Sequence, residues 1–335
     1  MNSALPRQSA PRLAALDICK GVLVLTMVFY HSLNSSSQYH LAFRYMSFLP
    51  PSFIFITGYL VIALYPARYG ENKARMHIRL ISRGVRLILI FTLLNLGGLA
   101  LAKRMNPLDV LAVMGANASD IFLIGSGRSA IFEVLLPIGY FLVLSPVVLA
   151  LHALSRWHLL AFAAVAAGVT AVLNHHGLSA GNLNLLMAGM IGAATAPFVG
   201  LGQLAGRRGK VMLLGVAFVV YEFVGRYWGH VFEVQIAGAA LAVFASLAAG
   251  QAVSPNGWLI RRVIVLGQYS LPAYVLQIAI LQVILRLVGR PDPWSSAFYL
   301  WMLVTTVVMT LLIEALAALR RVSPPSDRIY RFIFA

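Results

Sequence analysis

The sequence predicts an all-α, polytopic integral membrane protein of about ten transmembrane helices, with both termini cytoplasmic. Three observations predict it. The 335 residues are 60% hydrophobic and only 11% charged, with a mean hydropathy of +0.83, whereas soluble chains carry about 25% charged residues. The apolar residues fall in runs such as 22–30, 87–102 and 159–173, and about 20 mostly apolar residues make a helix long enough to cross a bilayer. The 26 Lys and Arg outnumber the 10 Asp and Glu, for a net charge of +16. They sit in short segments between the runs, where membrane proteins keep cytoplasmic basic residues. That placement accounts for the basic balance with no nucleic-acid partner.

The first span, 13–33, follows a polar N-terminus bearing Arg7 and Arg12. It is too long for a secretory signal and lacks a small-residue cleavage site, so it reads as a retained helix. The second, 47–65, opens on Pro50-Pro51, and Gly58 in FIFITGYL allows a neighbouring helix to approach closely. The third, 78–102, emerges from a basic segment. Residues 103–128, including GANASDIFLIGSG, form the longest connection, on the outer side. They are expected to cover an outer cavity or dip into the membrane. Spans 129–151, 157–173, 184–206, 210–228 and 233–250 follow with short loops. The ninth, 259–288, carries Pro272, which kinks a membrane helix and frees a carbonyl; the tenth is 295–319. With the N-terminus inside, seventeen of the Lys and Arg residues lie on the inner segments and seven on the outer, in keeping with the positive-inside rule. No repeat or soluble insertion interrupts the chain, so 1–335 reads as one domain.

Ionisable groups within spans are costly and mark functional candidates. The first span holds Asp17, Lys20 and His31. At about 100° per residue, eleven steps return His31 to within about 20° of Lys20, and Asp17 lies about 60° away, so the three share a stripe. Asp17 and Lys20, three apart, can pair. A histidine at a helix end is often interfacial, yet one that shares a face with a buried ion pair also suits a base working near neutral pH. Cys19, the only cysteine, points about 100° away from Lys20, excludes intramolecular disulfides and does not read as a nucleophile.

The third span brings Arg75, Arg79, Arg83 and Arg86 within one arc of about 80°. Basic residues anchor cytoplasmic helix ends by snorkelling. A row reaching into the membrane without acidic neighbours also suits a phosphate-bearing ligand, which guanidinium grips in a bidentate way. Both readings stand. On the fourth span, Glu133 lies near the depth of His31, where a carboxylate can orient an imidazole; pairing with Arg128 or with a helix N-terminus is the alternative. Glu314 reads as structural, facing Lys20 or the arginine row. Glu222, Arg226, His230 and Glu233 cluster near an outer loop, as an acceptor site or a solvated network. Around Pro272 stand Gln268, Tyr269, Ser270, Tyr274 and Gln277, lining a cavity or packing helices. No Gly-rich nucleotide loop, HExxH or Gly-x-Ser-x-Gly elbow is present, and no metal site is expected.

RLAALDICKGVLVLTMVFYH resembles the opening of the acyltransferase-three family and its relatives that succinylate glucans or acetylate heparan glucosamine. Those proteins carry a basic residue, ten residues and a histidine, here Lys20 and His31. Arg83-Gly84-Val85-Arg86 is similar to the family's Arg-x-x-Arg, FIFITGY to its Phe-x-x-Ser-Gly segment, and LGQYSLPAYVLQ to its late motif, with Gln277 where many members have histidine. The matches lie in 13–90, 129–150 and 263–282. The resemblance implies transfer of an acyl group, such as acetyl or succinyl, from cytoplasmic acyl-CoA to a hydroxyl of an extracytoplasmic sugar or polysaccharide, in a bacterial inner membrane. It implies no tightly bound cofactor. Arg79, Arg83 and Arg86 would bind the donor, His31 and Glu133 would be catalytic, and Asp17, Lys20, Tyr274 and Gln277 would bind substrate. A secondary transporter or flippase for an anionic or glycan solute is the alternative, although such proteins show paired helix interruptions and only Pro272 provides one here.

Overall fold

The computed structural model describes residues 10–38, 40–103, 106–125, 132–178, 180–200, 208–228 and 231–334. Among them every element is helical, in the order α1 (Ala10–Asn34), α2 (His40–Met46), α3 (Leu49–Ala63), α4 (Tyr65–Tyr69), α5 (Lys73–Lys103), α6 (Pro107–Ala116), a π-helical turn (Ser119–Ile124), α7 (Leu135–Leu154), α8 (Arg156–His175), α9 (Gly181–Thr195), α10 (Arg208–Trp228), α11 (Phe232–Ala252), α12 (Trp258–Gln268), α13 (Ser270–Val288), α14 (Ser296–Val322) and α15 (Pro324–Phe334). Arg7, Arg128 and His230, named above, lie outside the described residues.

Among the described residues, eight helices are long and apolar enough to cross a membrane: α1, α5, α7, α8, α10, α11, α13 and α14. Their outer faces match the solvent they are built for. Val165, Val169 and Val172 on α8, Leu213, Val216 and Val220 on α10, and Leu300, Leu303, Val307 and Leu311 on α14 are all exposed. A water-soluble protein does not display apolar surface on this scale; this is an integral membrane protein. Three of the ten expected spans take a different form. The second and sixth appear as α3 and α9, 15 residues each, or about 22 Å of helix, shorter than a usual crossing. The ninth breaks into α12 and α13 at Tyr269. Pro272 is the cause: its ring clashes with the carbonyl four residues earlier, which is that of Gln268, the last residue of α12.

The chain forms two compact units. One comprises residues 1–43, 201–221 and 241–324, the other 44–200, 222–240 and 325–335. In the first, α1 packs on α12, α13 and α14. Close approach of α1 and α12 depends on Gly21 and Gly267: a side chain at Gly267 would run into the backbone carbonyl of Asp17, and one at Gly21 into that of Val263. In the second unit α7 lies against α3, α5, α8 and α9, and α3 packs along α9. Gly58 makes that last contact possible, since a Cβ there would strike the carbonyl of Gly189. Tyr59 reinforces the same unit, its hydroxyl donating to the Val199 carbonyl at 2.6 Å.

Within the long connection, the described residues 106–125 fold as α6 and the π-helical turn, and the second unit holds them in place. Asn106 caps α6 by accepting from the Asp109 N–H. Asn182 of α9 donates to the carbonyls of Ile121 and Phe122, and the Tyr140 hydroxyl of α7 donates to Phe122 as well.

Candidate functional site

The candidate residues divide between the two units. Asp17, Lys20, His31, Tyr274 and Gln277 belong to the first; Arg79, Arg83, Arg86 and Glu133 belong to the second.

In the first unit the expected ion pair forms: Lys20 Nζ lies 3.0 Å from Asp17 Oδ1. Asp17 is also held across the α1–α12 contact, where Gln268 Nε2 donates to its Oδ2 at 3.2 Å. The break at Tyr269 thus sets one of the carboxylate's partners. Glu314, expected to face Lys20 or the arginine row, has a different partner. It pairs with Arg262 of α12 at 2.5 Å, and that guanidinium stacks on Trp258, 4.7 Å from the ring centroid. Sequence spacing could not have placed this pair, because its members stand 52 positions apart. Cys19 is fully buried, its thiol directed at the Val243 carbonyl at 3.7 Å, as an inert packed thiol should be.

Farther along α1, the His31 ring meets Tyr30 at 5.2 Å and Tyr274 of α13 at 5.8 Å between centroids. Its Nε2 is shielded and has no hydrogen-bond partner. Gln277 follows Tyr274 by three residues, hence on the same face of α13. It is 0% exposed, and neither its amide oxygen nor its nitrogen has a partner. Three more buried polar atoms without partners belong to the same packed set of helices: Ser32 Oγ on α1, and Trp301 Nε1 and Thr305 Oγ1 on α14. Phe29 ties that region of α1 to α14 through Phe298, at 6.1 Å. A buried bare polar group costs about 1–3 kcal/mol, and five residues of this kind lie on three touching helices, α1, α13 and α14. Ser32, Trp301 and Thr305 escape a reading of the sequence because each, taken alone, looks like ordinary helix packing. The one available signal is the i, i+4 spacing of Trp301 and Thr305 on one face of α14.

In the second unit the arginine row splits. Arg83 turns aside, and its Nη1 donates to the Tyr65 hydroxyl at 3.3 Å. Arg79 and Arg86 face a cavity of about 440 Å³ together with Arg75 and Ser82 of α5. Glu133 sits in the turn before α7, just after Phe132, which holds φ at 65°. Among the described residues no basic side chain pairs with it. Burial, and then the negative charge of Asp120, push its carboxyl up from 4.5 to about 7.

That shift sets a pH dependence. The folded chain holds the Glu133 proton more tightly than the unfolded chain. The group's contribution to stability is therefore full below pH 4.5 and is lost as pH rises through about 7. Glu133→Gln cannot titrate, so its melting temperature should fall less than that of the native chain between about pH 5 and 8. The difference is worth roughly 3 kcal/mol at most. Parallel melting curves over that range would remove the assignment.

Comparison with known proteins finds no matching family model, no matching curated protein and no matching solved structure.

Proposed function

We propose that this chain is a membrane acyltransferase that moves an acyl group from cytoplasmic acyl-CoA to a hydroxyl of an extracytoplasmic carbohydrate. In this reading it crosses a bacterial inner membrane ten times, α3 and α9 included, with both termini cytoplasmic. The observation that carries the proposal is the shielded imidazole of His31, its Nε2 without a partner, packed on Tyr274 one turn from the bare amide of Gln277. A base needs a lone pair that no protein group already occupies, and a polar substrate needs unmet donors and acceptors to bind.

His31 takes the proton of the acceptor hydroxyl as the oxygen attacks the thioester carbonyl. A carbon–oxygen bond forms, the carbon–sulfur bond breaks, and the imidazolium returns its proton to the departing CoA thiolate. Gln277 is suited to hold the acceptor or the polarised carbonyl. Glu133 keeps its expected role as the carboxyl that orients the imidazole. Lys20, fixed by Asp17, positions α1 or meets the donor. Arg79 and Arg86 bind donor phosphates, and Arg83 is released from that role because Tyr65 engages it.

The test uses purified protein in vesicles, labelled acetyl- and succinyl-CoA, and glycan acceptors. Acyl transfer by the native chain is expected. Arg79→Ala combined with Arg86→Ala should raise the donor KM by at least about tenfold with kcat little changed, the pattern of lost ground-state binding. An unchanged KM removes the donor site. Movement of an anionic solute across the vesicle with no acyl transfer establishes the transporter instead.

A further inference from the structure

The cavity at the start of α5 has a wall that the arginine row alone does not explain. Besides Arg75, Ile78, Arg79, Ser82 and Arg86, it is lined by Arg331 of α15. Two contacts bring α15 there: Arg86 Nη1 donates to the Arg331 carbonyl at 3.4 Å, and the Arg86 guanidinium lies 5.8 Å from the centre of the Phe332 ring. Four arginines and a serine therefore line one space, and among the described residues no acidic residue lines it. Asp327, four residues before Arg331, pairs with the Arg331 head at 2.6 Å and offsets one charge of the four.

Convergence is the informative part. Like charges on adjacent helical turns repel, and arginines serving only as membrane anchors gain by spreading apart toward separate headgroups. Charges drawn together around about 440 Å³, within the size range of small-molecule sites, gain only when an anion with several acceptor oxygens fills the space. Guanidinium forks match phosphate oxygens in pairs.

We propose that α5 and α15 together form a binding site for a phosphate ester or diphosphate, with Arg331 as the residue by which the C-terminal helix completes it. The ligand is either a soluble phosphorylated molecule or a phospholipid headgroup, two sources with the same recognising chemistry. The inference deepens the donor reading above and rests on it for a soluble source, but phosphate binding itself needs no acyl chemistry.

The experiment measures inorganic pyrophosphate binding calorimetrically to the full chain in nanodiscs of phosphatidylcholine. The native protein should bind, and Arg331→Ala should weaken binding about tenfold, the value of one charge-assisted contact. Arg328→Ala, on the same helix but off the cavity, should leave affinity unchanged, and equal melting temperatures would show both variants folded. Phosphatidic acid in the nanodisc that competes with pyrophosphate identifies a headgroup, and absence of competition identifies a soluble ligand; either supports the site. The proposal is overturned if the native chain binds neither pyrophosphate nor phosphatidic acid, or if Arg331→Ala and Arg328→Ala weaken binding alike. Pyrophosphate binding by a protein that transfers no acyl group would keep the site and remove only the donor reading.

Discussion

Replacing His31 with alanine should lower kcat for acyl transfer by about 10²–10⁴-fold, the usual worth of a positioned general base, while the donor KM stays within a few-fold of native. The split follows from where the residue sits. His31 lies on α1 in the first unit, among Tyr30 and Tyr274, whereas the arginines assigned to the donor belong to the second. Its Nε2 is shielded and makes no hydrogen bond, so no structural bond is lost with it. His31→Gln, which keeps polarity and approximate length, should be nearly as inactive, because an amide cannot accept a proton near neutral pH. Native rates in His31→Ala would take the catalytic role from this residue.

Gln277→Met should raise thermal stability and abolish most transfer at once. The side chain is 0% exposed with both amide atoms bare, and each such atom costs about 1–3 kcal/mol in a dry interior. Methionine has similar volume and no group to satisfy, so the melting temperature should rise by a few degrees. A residue kept for packing would show no penalty in activity for that gain. A residue kept for a substrate would, since sites are where stability is given up for function. A variant both more stable and fully active would assign Gln277 to packing.

Much of the helical frame, and part of the site, can be read from residue order alone. The helical class follows from runs of apolar residues, and the Asp17–Lys20 pair from a three-residue interval on one helix. The break in the ninth span follows from Pro272 by a local rule, displaced four residues to Gln268. What local spacing cannot supply is partnership at a distance. Arg262 with Glu314, Asn182 with the turn at Ile121 and Phe122, and Arg86 with Arg331 join positions tens to hundreds of residues apart, and only packing brings them together. The arginine row shows both sides of this. Its common arc is set by helical periodicity, but Tyr65 draws Arg83 away while α15 adds Arg331. Burial is the other silent quantity: nothing in LPAYVLQ distinguishes a glutamine at 0% exposure from one at a helix surface.

The inertness of Cys19 gives the native chain a practical property. It is the sole thiol, enclosed on every side, so a maleimide added to intact cells finds no native target on this protein. A reporter cysteine placed in any loop then carries the entire labelling signal, and a membrane-impermeant reagent reads that loop's side of the bilayer directly, with the wild-type sequence as its own blank.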